Sequence, residues 1–195
     1  MIGFNHLGRH GRLGNQMFQY AGLRGIAAHR GFDFAIPPSD FKDPWTDHQL
    51  FEAFKLTGLT NIAVIPGPYV QEASFKFDEN LFNNMPDGHN VYGYLQTTKY
   101  FEHIEKEVRE DFQFKNDIYG PCKELIDSVH APIALHVRRG DYLVNSDNHP
   151  PCPKEYYDEA LSRFDPSRNV IVFSDDPEWC GTVFTDDRFL ISEGG

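Results

Sequence analysis

The chain has 195 residues, 40% hydrophobic and 14% aromatic, with 18 lysines and arginines against 29 carboxylates and a formal net charge of −11. That composition supplies a packed core for one large or two small domains and excludes a disordered chain. The acidic balance excludes a general nucleic-acid or membrane-surface binder, which needs a basic face, and no stretch reaches the roughly 20 apolar residues of a membrane span.

No basic segment followed by an apolar signal core opens the chain, so residence in the cytoplasm is expected. Cys122, Cys152 and Cys180 form no Cys-x-x-Cys pair. They are read as reduced structural thiols, in neither a disulfide framework nor a zinc site. The charge is uneven. Residues 1–32 hold Arg9, Arg12, Arg24 and Arg30 and no acid, leaving 14 of the 18 cationic residues to face all 29 carboxylates. A local basic island in an acidic protein suits a small anionic ligand better than a polyanion.

In chain order, the pattern predicts a strand over 1–7, a glycine-rich turn over 8–14 and a helix over 15–30 stopped by Gly31. A strand follows over 32–36, ended by Pro37 and Pro38, then a short helix over 47–56. The Pro-, Gly- and Asn-rich stretch 57–90 offers one candidate strand, 62–65. A strand over 91–95 precedes helices over 98–112, capped by Thr97 or Thr98, and 118–129. The remainder reads as a strand over 133–137, a polar loop over 143–149, a helix over 153–164, a strand over 169–173 and a helical turn over 177–184. Alternating strands and helices imply parallel α/β sheets, with a boundary near residue 115 separating units 1–115 and 116–195.

Three constellations carry chemistry. HVRRGDY, residues 136–142, continues the apolar run Pro132–Leu135 and sets two arginines at the carboxyl edge of a sheet, where open α/β folds bind ligands. Side chains alternate along an extended chain, so one of Arg138 and Arg139 is placed to grip an anion while its neighbour braces the loop. The plainer reading is a strand end with solvated arginines. His136 shares a face with Arg138 and either positions it, touches the ligand or packs. Asp141 is either a base for a hydroxyl or a holder of an arginine.

The opening GRLGNQMFQYA forms the second constellation. Gly11 and Gly14 permit positive φ and close backbone approach, Asn15 can cap the helix, and Arg12 is a further contact candidate, so the loop can cradle a phosphate or sugar. It is neither a dinucleotide fingerprint nor a Walker loop. Gly22 and Gly25 are read as packing positions. In the third constellation, VIVFSDD, the side chains of Ser174, Asp175 and Asp176 can accept hydrogen bonds from a ribose or a base, and the alternative is that Ser174 and Asp175 cap the helix beginning near Pro177. The sequence contains no Asp-x-Asp. No metal site is therefore expected, and arginine would neutralise a diphosphate.

GRLGNQMFQYA, GYLQTTKYFEHIEKEVREDFQF at 93–114, LHVRRGDY at 135–142, YYDEAL at 156–161 and VFSDDPEWC at 172–180 resemble, in order and through nearly the whole chain, the alpha-1,2-fucosyltransferases of glycosyltransferase family 11. The resemblance implies a GT-B-like architecture of two Rossmann-like α/β units, with an acceptor-side N-terminal unit and a nucleotide-sugar-binding C-terminal unit. It implies GDP-fucose as donor, a glycan acceptor, inversion at the anomeric carbon, and no metal or separate cofactor. It also implies that Arg138 or Arg139 meets the β-phosphate, with the GRLGNQ loop closing over the donor. The family pattern continues through a segment resembling Cys-x-His-x-Ile-x-x-Asn-Ser-Thr-Phe-Ser-Trp-Trp, which does not follow Cys180 here. A shortened second unit is thus expected, with part of the donor pocket missing and an open sheet edge that leads either to coverage by a second copy or a partner chain or to marginal stability. Two alternatives stand beside transfer: a GDP-sugar-binding protein without turnover, and a structural α/β domain with an incidental anion site.

Overall fold

A computed structural model describes residues 1–41 and 48–192, and the chain divides into two compact units, Met1–Tyr119 and Gly120–Gly195. The first contains β1 (Ile2–Gly3), α1 (Leu13–Arg30), β2 (Phe34–Ile36), α2 (Leu50–Ala53), β3 (Asn61–Ile62), β4 (Tyr69–Gln71), α3 (Glu79–Asn84), β5 (Asn90–Tyr92) and α4 (Glu105–Asp111). Its sheet runs β3-β2-β1-β5-β4, and every pair is parallel. The expected strand over 1–7 shrinks to two residues. Phe4 and Leu7 are buried, but the chain turns there, with the Leu7 amide bonded to the Phe4 carbonyl. The stretch 57–90 hides β4 and α3, the latter capped by Asp78, whose carboxylate accepts from the Leu81 amide. The helix expected over 47–56 begins outside the described residues, and α2 covers its middle.

Helix α1 organises this unit. Tyr20, Leu23 and Ile26 join Ile2, Phe4, Phe34 and Ile36 in the core. The helix ends at Gly31, which adopts φ 69° and returns its amide to the carbonyls of Ala27 and Ala28, a left-handed cap that glycine takes without a Cβ penalty. Gly25 is a packing position: a Cβ there would lie 1.9 Å from the Tyr100 carbonyl oxygen, and one at Gly22 would lie 2.7 Å from Leu95 Cδ1. The helix packs against the segment after β5 through these two glycines.

That close approach breaks the single helix expected over 98–112. The chain forms two 3-10 turns, Thr98–Tyr100 and Glu102–Ile104, before α4. Thr97, not Thr98, is the cap, and Phe101 leaves helical geometry at φ −139°. Tyr100 is fully buried, its hydroxyl donating to Glu72 at 3.0 Å and accepting from the Asp78 amide at 2.8 Å. Tertiary anchoring of one tyrosine overrides local helix propensity.

A buried carboxylate ties α1 to α4. Asp111 is 0% exposed. It pairs with Arg24 and accepts from the Tyr20 hydroxyl at 2.6 Å, the Gly58 amide at 2.6 Å and the Thr57 hydroxyl at 3.2 Å. Burial, with Asp111 alongside, pushes the Tyr20 hydroxyl pKa far up, so it stays a donor. Arg24 is therefore structural, and Arg30 donates to the Met85 carbonyl and lies over the Phe32 ring. The basic N-terminal island thus divides between fold and surface.

The chain continues through α5 (Asn116–Ser128), which spans the boundary between the units, into β6 (Ile133–Val137), α6 (Gly140–Val144), α7 (Lys154–Leu161), β7 (Val170–Ser174), α8 (Pro177–Val183) and β8 (Phe189–Ile191). The second unit's sheet is β6-β7-β8, all parallel. Ile133, Leu135, Val137, Val170 and Val172 pack against Tyr157 and Leu161 of α7 and Cys180 and Phe184 beyond β7. The other sheet face leaves Ala134, His136 and Phe173 exposed. Cys180 alone is a buried structural thiol. All three cysteines are free, as expected, with Cys122 and Cys152 exposed and Cys152 hydrogen-bonded to Tyr157.

Two substitutions test the first unit. Gly25→Ala drives a methyl into the Tyr100 carbonyl and should cost about 1–3 kcal/mol, as overpacking does. Asp111→Ala strands a mostly buried Arg24 and should cost about 3–5 kcal/mol. Urea unfolding checks both, and unchanged midpoints would refute this account of the packing.

Candidate functional site

The parallel register of β6 and β7 pairs His136 with Phe173 and Val137 with Ser174. Continued beyond the strand ends, it brings Arg138 and Arg139 beside Asp175 and Asp176. The Asp175 carboxylate accepts from the Arg139 amide at 2.8 Å and from the Gly140 amide, closing the turn from β6 into α6. Gly140 lies against that carboxylate: a Cβ there would stand 2.9 Å from Asp175 Oδ2. Partial burial pushes the Asp175 pKa up, but the amides outweigh it and hold the carboxyl below its ordinary value.

The two arginines are treated differently. Arg139 bonds through Nε to Asp176 Oδ2 at 3.1 Å, and its guanidinium lies 3.9 Å above the Trp179 ring, leaving the side chain 19% exposed. Arg138 is 36% exposed. It makes a two-pronged contact with Asp141, Nε to Oδ1 at 3.1 Å and Nη2 to Oδ2 at 2.7 Å, and lies over the Tyr142 ring at 4.9 Å. Its Nη1 has no hydrogen-bond partner among the described residues. Asp141 beside it raises its already high pKa, so Arg138 is a fixed cation.

The first two residues of the polar loop expected over 143–149 are instead helical, since α6 runs to Val144 and the loop begins at Asn145. The cap expected from Ser174 or Asp175 is supplied by Asp176, which accepts from the Trp179 amide at 3.2 Å. Ser174 is buried and accepts from the Asp176 amide at 2.9 Å. Its hydroxyl also meets the Cys180 thiol, whose pKa burial pushes up. Ser174 therefore shapes the turn from within. His136 is exposed, which removes the packing reading. Sequence reasoning missed Asp176 and Trp179 as the brace of Arg139, although Pro177 at the first helical position signals a cap at the residue before it.

The opening loop belongs to the first unit. Gly11 has φ 89°, where glycine is required, and Asn15 lies so close that a Cβ at Gly11 would be 1.7 Å from its Nδ2. Gly14, by contrast, is helical and faces open space. The expected cap at Asn15 is corrected: α1 begins two residues earlier, Arg12 occupies the cap position with no side-chain bond, and Asn15 Oδ1 accepts from Gln96 Nε2 at 2.6 Å. The Leu13 amide is taken by Gln49 Oε1 at 2.8 Å, so part of the helix N-terminus is satisfied internally. Arg12 is exposed.

The Asp175 brace has a pH signature. Its folded-state pKa lies below the ordinary 3.8, so its contribution is complete above that value and is lost as pH falls through the lower folded value. Asp175→Ala should lower the unfolding midpoint at neutral pH, and the gap to the unsubstituted protein should narrow as pH drops below 3.8. A gap that stays constant with pH would contradict a charged brace.

Comparison with known proteins matches these elements to relatives. The model for Glycosyl transferase family 11 matches residues 1–189. An alpha-1,2-colitosyltransferase of Escherichia coli is 30% identical over 200 residues, covering 87% of this chain and 68% of the relative. The O-antigen biosynthesis glycosyltransferase WbnK of Escherichia coli is 28% identical, covering 60% and 43%. The galactoside 2-alpha-L-fucosyltransferase Sec1 of Mus musculus is 26% identical, covering 95% and 53%. The chain thus spans about half the length of the latter two relatives. Among solved structures, the alpha-1,6-fucosyltransferase NodZ, in a crystal soaked with GDP-fucose, aligns over 100% of this chain and 77% of its own with a TM-score of 0.59 at 13% identity. NodZ from Bradyrhizobium aligns over 92% and 74% with a TM-score of 0.55 at 14% identity. The structural likeness establishes the GT-B-like fold, and the family match, running from the first strand to the last, shows that the chain belongs to glycosyl transferase family 11.

Proposed function

We propose that this chain transfers fucose from GDP-fucose to a hydroxyl of a glycan acceptor, forming an alpha-1,2 linkage with inversion and without a metal or separate cofactor. The observation that carries this reading is Arg138, a fixed and partly exposed cation at the carboxyl edge of a parallel sheet, on a turn locked by Asp175. The family membership, the relatives named as colitosyl- and fucosyltransferases, and a structural neighbour soaked with GDP-fucose support the substrate class.

The chemistry follows from charge. As the glycosidic bond to GDP breaks, negative charge accumulates on the leaving phosphate while the sugar becomes cationic. A preorganised guanidinium aimed at that phosphate lowers the barrier. With no Asp-x-Asp in the sequence to hold a cation, arginine supplies the positive charge. Asp141 acts as the orienter of Arg138: a carboxylate bonded to Nε and Nη2 of a guanidinium is a poor proton acceptor. Arg139, held by Asp176 and Trp179, keeps the turn in place. Within the second unit His136 is the further donor contact we assign, while Ser174 and Asp175 are committed to the turn; the first unit's loop with Gly11, Arg12, Gly14 and Asn15 is, taken by itself, a cradle for a phosphate or sugar.

GDP titration by calorimetry and GDP release from GDP-fucose test the proposal. Arg138→Ala should lower turnover about 10²- to 10³-fold, the cost of removing one preorganised transition-state contact, with the circular dichroism unchanged. Full activity in that variant would sink the assignment. Arg139→Ala should instead lower the unfolding midpoint. Saturable GDP binding without turnover would favour the donor-binding reading instead.

A further inference from the structure

The polar loop that leaves α6 folds back on the arginine corner of the second unit. Asn145 gathers the turn: its carbonyl accepts from the Asn148 amide at 3.1 Å and the His149 amide at 2.9 Å, and its Oδ1 accepts from Asn148 Nδ2 at 2.8 Å. That closed turn sets His149 on Tyr142, with the two rings 4.9 Å apart and near-parallel at 17°. Tyr142 in turn carries the guanidinium of Arg138, 4.9 Å from its ring centroid. Tyr142 is half-buried, whereas Asp141 and every residue from Leu143 to His149 are exposed. A half-buried ring in so exposed a segment is shielded by its stacking neighbours.

Asp141 by itself does not fix the direction of Arg138. Their pair is open to water on both sides, 36% and 47% exposed, and lies within one turn of a single segment. Exposed ion pairs gain little, because water screens them and holding two flexible side chains in one geometry costs rotamer freedom. A carboxylate gripping Nε and Nη2 also lets the guanidinium rock about the line of those two hydrogen bonds. A ring face against the cation opposes that rocking, because the ring quadrupole attracts the guanidinium at close range. Edge and face together hold one orientation, with Nη1 on the side away from Asp141.

We propose that Tyr142 is the positioning residue for Arg138, and that the 145–149 loop holds Tyr142 in place through His149. The inference rests on the assignment of Arg138 to the leaving phosphate and adds to it what aims the arginine. A phosphate contact is effective when its donor is set before the ligand arrives, which reduces the ordering cost of binding. A loop that need not touch the phosphate thereby sets how well the phosphate is held.

The first measurement needs no ligand. In isotope-labelled protein the Nε–Hε signal of Arg138, identified by its loss in Arg138→Lys, should show the heteronuclear NOE of the surrounding backbone. Tyr142→Leu should drop it to that of a freely rotating arginine, Tyr142→Phe should keep it, and His149→Ala should lower it part of the way. Unchanged amide shifts in β6 and β7 check that each variant folds. An Arg138 still ordered in Tyr142→Leu would overturn the role of the ring, and a His149→Ala protein indistinguishable from the unsubstituted one would overturn that of the loop. The second measurement is calorimetric titration with GDP, which Tyr142→Leu should weaken about fivefold and Tyr142→Phe should recover. Lost order with undiminished GDP binding, or no GDP binding by the unsubstituted protein, keeps the positioning and sinks Arg138 as the phosphate contact. Retained order with weakened GDP binding overturns the positioning and leaves the donor assignment standing.

Discussion

The parallel register between β6 and β7 is the constraint on which the second unit's chemistry depends. Two strands that end in step, one in paired arginines and the other in paired aspartates, must decide how four charges share one sheet edge. The backbone amides of the arginine turn take Asp175, the guanidinium of Arg139 takes Asp176, and Arg138 is left to a local partner, Asp141, on the outer side. A slip of one residue would reverse which side chains enter the core and dissolve all three contacts together. The apolar alternation of Ile133, Leu135 and Val137 therefore fixes the position of Arg138 as surely as any bond the arginine makes itself.

The first unit uses buried carboxylates for a similar purpose. Asp111 and Glu72 are almost wholly removed from water, and each is surrounded by donors from segments distant in sequence. Such groups contribute less to net stability than to uniqueness, because any other arrangement leaves a charge unsatisfied in the interior. Asp111 joins the two ends of the unit's helical layer. Glu72 fixes the chain after β5 so that Tyr94 stands at the sheet edge, with the Tyr100 carbonyl pressed against Gly25.

The alternation of strands and helices, and with it the α/β class, was legible because it rests on local pattern. The strand at 133–137 has the expected ends, since continuous apolar character bounded by Pro132 and two arginines leaves little choice. The tight packing at Gly22 and Gly25 was also legible, as glycines within a helix have few other uses. What was not legible depends on contacts across the chain. The 98–112 segment has good helix formers, yet Tyr100 is anchored by Glu72, more than 20 residues away. Asn15 looks like a cap in sequence, but Gln49 satisfies the Leu13 amide and Asn15 turns to Gln96. At the candidate site the strand-end arginines were visible, whereas the division of labour between them was not, because Trp179 and Asp176 reach Arg139 only once the strands pair.

The corner around Arg138 has one further consequence. Its two guanidinium groups face three carboxylates, those of Asp141, Asp175 and Asp176, so the site is not a reservoir of positive potential in a chain of charge −11. An anion that reaches Arg138 therefore meets a guanidinium whose direction Asp141 has already set and whose charge is already partly answered, so discrimination at this corner rests on the edge of the fork that Asp141 leaves uncovered rather than on long-range attraction.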